Sequence, residues 1–336
     1  MDLSLSGEQR QLVDSFAAMY AQASSPEEVR AAEPSGFDPK LWAALTETGA
    51  VEMAVDEADG GWGASVLELA LIAEQHGRAL ASAPIIEAQV AARALAASGG
   101  GGLLEGALAG DKIVSFAPRP CEGDVLTLVP GGAVADTVVA LVADRLVACP
   151  TTARGCVTNL GSLPLADIEI DHDVTVLAEG PDARRLHSAA LDLWLTLTAA
   201  ALAGAARRAV EIGVQYAKQR HAFGNPIGSF QAVSHPLADS ATAADGAQLL
   251  AFKAACAFAD EPTRVTELAA MAFAFAYETA RDATSRSLHV HGGYGFGMEG
   301  DIQLYYRRVR GWAMVYGEPG VALDRVADAR YGVAAG

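Results

Sequence analysis

The 336-residue sequence is short of cations: 24 Lys and Arg stand against 41 Asp and Glu, a formal net charge of −17. Nucleic acid and anionic membrane surfaces need a basic face, so neither is expected as a partner. Cysteine is scarce as well. Cys121, Cys149, Cys156 and Cys256 form no CxxC pair and keep no regular spacing, which excludes a zinc site or disulfide framework and fits a reducing cytoplasm. His289 and His291 lack a third ligand at useful spacing, so no metal site is expected. The start, Met1-Asp2-Leu3-Ser4, has no cationic stretch or apolar core, and export is not indicated. No apolar run reaches the ~20 residues that span a bilayer. The longest candidate, Leu193 to Ala206, is bracketed by Asp192 and Arg207 and contains Thr196 and Thr198. It reads as a helix buried on all sides, in a bundle or at a subunit interface.

Apolar residues make up 51% of the chain and charged ones 19%, enough to bury a large core in two or three domains. Ser6 with Gln9 forms a candidate capping box ahead of Leu12, Val13, Phe16, Met19 and Tyr20 at helical spacing. Asp38-Pro39 opens a second helix through Leu41, Trp42 and Leu45, stopping at Gly49. After the break Gly60-Gly61-Trp62-Gly63-Ala64-Ser65, a third helix runs from Val66 to Leu80. From Lys112 to about Leu177 the period shortens. Val125 to Val129, Val138 to Val142 and Ala166 to Ile170 predict a small antiparallel β domain. Beyond Arg184-Arg185 the helix holding Leu193 to Ala206 continues to Arg220, a second runs from about Gln231 to Phe258, and a third opens at Glu261-Pro262-Thr263. The fold class is therefore mainly α with a middle β domain: an N-terminal helical domain (1–111), a short β domain (112–183) and a C-terminal four-helix bundle (184–336).

The stretch from Tyr216 to Gln231 differs from the long helices around it. Its helix ends near Arg220, a turn falls over Gly224-Asn225-Pro226, and a new helix opens close to Gln231. A phosphate-bearing ligand would need a local basic patch, such as Arg220 or Arg307-Arg308 with Arg310. Arg220 offers a planar charged fork beside a helix N-terminus, which suits phosphate; a solvated Arg at an ordinary helix-loop-helix corner fits the same residues. In His289-Val290-His291-Gly292-Gly293-Tyr294-Gly295-Phe296, three glycines in four positions allow a backbone to approach a ligand or another chain closely.

Arg220, Phe223, Gly224 and Gln231 resemble the Arg-x-x-Phe-Gly signature, with its later Gln, of the acyl-CoA dehydrogenase family. The likeness extends to the Gly60-Gly61-Trp62-Gly63 loop, to Glu74-Gln75-His76-Gly77-Arg78-Ala79, and to Gly292-Gly293, with His289 where the family has Gln. The resemblance implies FAD as cofactor, contacted across a subunit interface by Arg220, Phe223, Gln231, His289, Gly292 and Gly293. It also implies an acyl-CoA substrate, a homologous partner subunit, electron-transfer flavoprotein as electron acceptor, and α,β-desaturation with a buried carboxylate as base.

Two departures from the family pattern bear on that chemistry. Ala117 to Asp124 stands where relatives carry the Thr-Glu-Pro-x-x-Gly-Ser loop that lines the flavin ring. Tyr316-Gly317-Glu318-Pro319 puts Gly317 at the base position and Glu318 one residue late. The other place used for the base falls near Trp194, with Asp192 off the matching face. Glu318 is thus the catalytic candidate, with a turn-forming Glu before Pro319 as the alternative. The endings Tyr305-Tyr306-Arg307-Arg308 and Tyr316-Gly317-Glu318-Pro319 are similar to those of small subunits of heterotetrameric, actinobacterial-type acyl-CoA dehydrogenases acting on sterol-derived thioesters. Three readings follow: a base-lacking subunit of a heteromeric enzyme, a self-sufficient dehydrogenase using Glu318, or a flavin-free binding homologue.

Overall fold

The computed structural model describes residues 4–151, 155–171 and 173–332. In chain order these form α1 (Gly7–Ala23), α2 (Pro26–Ala32), α3 (Pro39–Glu47), α4 (Val66–Arg78), α5 (Ile85–Ala97) and α6 (Gly101–Leu108). Six strands follow: β1 (Val114–Phe116), β2 (Val125–Val129), β3 (Thr137–Val142), β4 (Arg145–Pro150), β5 (Ala166–Glu169) and β6 (Thr175–Glu179). The remainder is α7 (Gly180–Gln219), the short pair β7 (His221–Ala222) and β8 (Asn225–Pro226), α8 (Gln231–Asp260), α9 (Val265–His291), α10 (Ile302–Met314) and α11 (Pro319–Tyr331). Mainly α with a middle β region is the expected class, and local chemistry sets several boundaries. Ser6 Oγ accepts from Gln9 N and Gln9 Oε1 from Ser6 N, the capping box read from the sequence. Asp38 accepts from Lys40 N and Leu41 N, with Pro39 at the first helical position.

The chain divides into two compact units. One comprises residues 27–69 and 82–195, the other residues 1–26, 70–81 and 196–336. In the first, one sheet has the order β1-β3-β4-β6 and a second pairs β2 with β5. The sheet is mixed rather than purely antiparallel, because β1 runs parallel to β3 (Val114 opposite Thr137). The intervening β2 pairs elsewhere, so the chain crosses over before returning. Leu126, Val129, Val138, Ala140, Val147 and Ile168 fill the core beneath these strands.

In the second unit α4 and α7 cross with their backbones in contact. A Cβ built on Gly77 would lie 1.8 Å from Ala201 O, and one on Gly204 2.1 Å from Glu74 O. Polar side chains flank the crossing. Glu74 accepts from Gln248 Nε2 at 2.6 Å, and Arg78 grips both carboxylate oxygens of Glu211 at 2.8 and 2.9 Å. Burial pushes the Glu74 pKa up; at Glu211 burial is outweighed by the guanidinium groups of Arg78 and Arg208, which pull its pKa down. The C-terminal carbonyls beyond α4 are capped from α10: Tyr305 Oη donates to Arg78 O at 2.6 Å, and Arg308 donates to Leu80 O at 3.1 Å and Ala81 O at 3.5 Å. His76 stacks on Trp312 with centroids 5.7 Å apart, and burial together with Arg308 pushes its pKa down to about 3. As a 40-residue helix α7 is long and apolar enough, by length and composition, to cross a membrane, but 94% of its most apolar window is buried inside the fold. It is a core helix.

Candidate functional site

α7 stops at Gln219, and His221-Ala222 then pairs with Asn225-Pro226 as a two-stranded hairpin. The turn is therefore Phe223-Gly224, one residue earlier than the expected Gly224-Asn225-Pro226. Both turn residues have positive φ, +53° and +80°, as a two-residue hairpin of primed type requires. For Phe223 that conformation costs roughly 1–2 kcal/mol, yet the residue is 94% exposed and its ring meets Phe230 edge-on at 6.3 Å. Gln231, the first residue of α8, is exposed on the same corner.

Arg220 follows directly on α7, its N–H bonded to Tyr216 O at 2.8 Å. Among the described residues its exposed guanidinium makes no hydrogen bond or ion pair, although the chain as a whole has an excess of carboxylates. It borders a cavity of about 610 Å³ shared with Tyr216 and with His291, Gly292, Gly293 and Tyr294. A Cβ on Gly292 or Gly293 would meet nothing within 4 Å, so both backbones face open space. A free guanidinium opposite bare glycine backbone fits a diphosphate. His289 is exposed at the end of α9 and lies outside this lining; His291, two residues on, is the histidine that enters it. The site thus gathers Arg220, Gly292 and Gly293, with Phe223 and Gln231 exposed beside the hairpin.

Glu318 is exposed and is the N-cap residue of α11 without a side-chain cap bond, Pro319 being the first helical residue. That is the turn-forming role weighed for it. Gly317 sits at φ +122°, where a side chain is strained, and a Cβ there would come 3.2 Å from Val321 Cγ2. The second basic patch is spent on structure: Arg308 is buried capping carbonyls, Arg307 Nε donates to Gln303, and Arg310 lies 3.6 Å over the Tyr306 ring.

Two further features lie in the unit of residues 27–69 and 82–195. A cavity of about 260 Å³ is lined by Ala117 to Val129, and Arg119 reaches across to Thr127 O and Oγ1, both at 2.9 Å. The segment Ala117 to Asp124 carries no hydroxyl side chain, and Arg119 spans the cavity to Thr127. The fully buried Trp194 donates its indole N–H to Glu87 Oε1 at 3.1 Å, and burial raises the Glu87 pKa. Glu87 was not among the residues singled out from the sequence; the available signal was one carboxylate in the first turn of a helix whose other polar side chains are Gln89 and Arg93. This unit contains nine Lys and Arg against 24 Asp and Glu, so it carries −15 of the net −17.

Two family models match the chain: acyl-CoA dehydrogenase, N-terminal domain, over residues 6–100, and acyl-CoA dehydrogenase, C-terminal domain, over residues 188–330. The sequence is 34% identical over 326 residues to the acyl-CoA dehydrogenase IpdE2 of Mycolicibacterium smegmatis, covering 96% of this chain and 98% of that protein. It is 34% identical to FadE34 of Mycobacterium tuberculosis, covering 85% of this chain and 41% of the relative. Among solved structures it is similar to a chain of the ChsE4–ChsE5 complex from Mycobacterium tuberculosis, with a TM-score of 0.88, 25% identity and coverage of 97% and 98%. It is also similar to a variant of the Tcur3481–Tcur3483 steroid ACAD, with a TM-score of 0.86, 26% identity and coverage of 96% and 97%.

Proposed function

The chain belongs to the acyl-CoA dehydrogenase family, and from that premise we propose that it acts as the base-lacking subunit of a heteromeric, FAD-dependent enzyme that desaturates an acyl-CoA thioester. The observation that carries this is the segment Gly317-Glu318: a positive-φ glycine at the base position and a solvent-exposed carboxylate beside it. A base that takes a proton α to a thioester must sit in a dry pocket with its pKa raised. Glu318 is exposed to solvent, not set in such a pocket.

What the chain offers instead is the corner that receives the tail of a dinucleotide. Bound FAD would supply the hydride acceptor. Arg220 holds phosphate through a charged fork, Gly292 and Gly293 let backbone approach, and Phe223, Gln231 and His289 extend the contact from the rim. Arg119 tied to Thr127 leaves the flavin ring to a homologous chain. The −15 charge of the unit containing residues 27–69 and 82–195 works against uptake of the polyanionic CoA by this chain itself. Pairing of unlike chains is supported by the similarity to the ChsE4–ChsE5 complex, and a steroid-derived acyl group by the similarity to a steroid ACAD. Electron-transfer flavoprotein is the proposed acceptor, in a reducing cytoplasm.

Two substitutions test the reading in the complex formed with a co-expressed homologous chain. Arg220→Ala removes a charge-assisted contact of ~1.5–3 kcal/mol and should weaken FAD retention about tenfold to a hundredfold; unchanged flavin content sinks the assignment. Glu318→Gln should leave turnover near that of the unsubstituted complex. Loss of turnover with flavin retained would return the base to this chain.

A further inference from the structure

Among the described residues Trp194 is the largest side chain closed to solvent, at 1% exposure, and Leu193 and Leu195 beside it are buried too. Core packing alone is met by Leu or Phe, which bring no N–H to satisfy. Here the indole N–H reaches Glu87 Oε1, 3.1 Å away on α5. Glu87 is the third residue of a helix whose Ile85, Ile86, Ala88, Val90 and Ala91 are buried. It is also the one carboxyl of its unit, among the described residues, that burial pushes above the ordinary carboxylate range. Each group satisfies the other: without the indole the carboxyl loses its side-chain donor, and without the carboxyl a buried N–H lacks its acceptor. α5 and this stretch of α7 therefore enclose an indole-sized apolar slot with a dry carboxyl on its wall, and the chain fills the slot from its own sequence.

We infer that Trp194 is a plug: with its ring held by Glu87, it occupies a slot that would otherwise take an apolar group such as the acyl part of a thioester, and so closes this chain to substrate. The inference rests on the proposed reading of the chain as a supporting subunit, and adds the residue that shuts its own acyl site. Two independent features agree with it. A slot with a dry carboxyl on its wall has the character that proton removal α to a thioester calls for; an indole in it takes up the space and the carboxyl together. The same unit carries −15 of the net charge, which opposes entry of the polyanionic CoA.

The test counts thioester bound to the complex with the co-expressed homologous chain, by equilibrium dialysis of octanoyl-CoA under nitrogen. The unsubstituted complex should hold no more than one octanoyl-CoA per pair of unlike chains. Trp194→Ala should hold one more, since a dry apolar cavity takes up apolar ligands, and free indole, which has the shape of the removed ring, should displace that extra thioester and leave the first. Trp194→Phe, which still fills most of the slot, should count as the unsubstituted complex does. Two thioesters per pair without any substitution overturn the inference, as does an assembled Trp194→Ala complex that gains none. Co-purification of both chains shows assembly; should Trp194→Ala fail to assemble, Trp194→Leu takes its place and is read the same way, and the count on the unsubstituted complex decides regardless. Glu318→Gln, run alongside, separates the two levels. Normal turnover there with two thioesters per unsubstituted pair keeps the supporting-subunit reading and removes the plug, whereas lost turnover removes the reading itself.

Discussion

Replacing Gly77 by alanine is expected to destabilise the protein by roughly 3 kcal/mol or more, although alanine is the better helix former by about 1 kcal/mol. The cause is the crossing of α4 and α7. An added methyl on Gly77 would sit 1.8 Å from Ala201 O, and the neighbour is helix backbone, which cannot swing aside as a side-chain end can. The helices must separate by more than 1 Å, and doing so strips contact from a region where Ala200, Ala201, Leu202 and Ala203 are all fully packed. Gly204→Ala attacks the same crossing from the other side, against Glu74 O, so the double variant should lose less than the sum of the two. Gly102→Ala, in α6 with nothing within 4 Å of the added atom, serves as the opposite case and should be neutral or stabilising by up to about 1 kcal/mol. Urea or thermal midpoints check the set; a Gly77→Ala midpoint no lower than that of Gly102→Ala would refute the backbone contact.

Local features were legible because they are written within a few residues. The Ser6–Gln9 box, the Asp38-Pro39 start and the placement of α7 and α8 all follow from short-range signals, and the structure carries them. Three things were not legible, each for a physical reason. The parallel pairing of β1 with β3 depends on β2 finding β5, about 40 residues away, and strand composition does not record the sense of pairing. Gly77 and Gly204 each cost helix propensity where they stand, and only the tertiary approach explains them. The turn at the corner was misplaced by one residue because Phe223, not a residue type that favours positive φ, takes that conformation. As for the candidate site, Arg220, Gly292 and Gly293 were singled out through the resemblance and the structure places them around one cavity, whereas Tyr294 and His291 join that lining only through the geometry of the loop after α9.

Arg308→Met is the second substitution with a large expected effect, and it decides between two uses of the same cation. Read from the sequence, Arg307-Arg308 with Arg310 could have been a phosphate patch; a patch role predicts normal stability and weakened ligand binding. The structure predicts the reverse. Arg308 is 3% exposed and donates to the carbonyls of Leu80 and Ala81, at a point where Leu80 holds a φ of +48° that its side chain disfavours. Methionine fills similar volume but donates nothing, leaving buried carbonyls unpaired at ~1–3 kcal/mol each. Exchange of a buried charge for an apolar side chain can be neutral when its partners become apolar too; here the partners are main chain and remain. The expected loss is therefore roughly 3–5 kcal/mol. Arg308→Lys should fall between, since an ammonium keeps the charge and a donor but is more strongly hydrated and lacks the planar group that lies 5.7 Å over the Trp312 ring. Unfolding midpoints and FAD affinity measured on the same preparations separate the cases: a full-stability Arg308→Met protein with weakened FAD binding would return this arginine to the ligand, and a destabilised one whose folded fraction binds FAD normally would leave Arg220 as the cation that meets the phosphate.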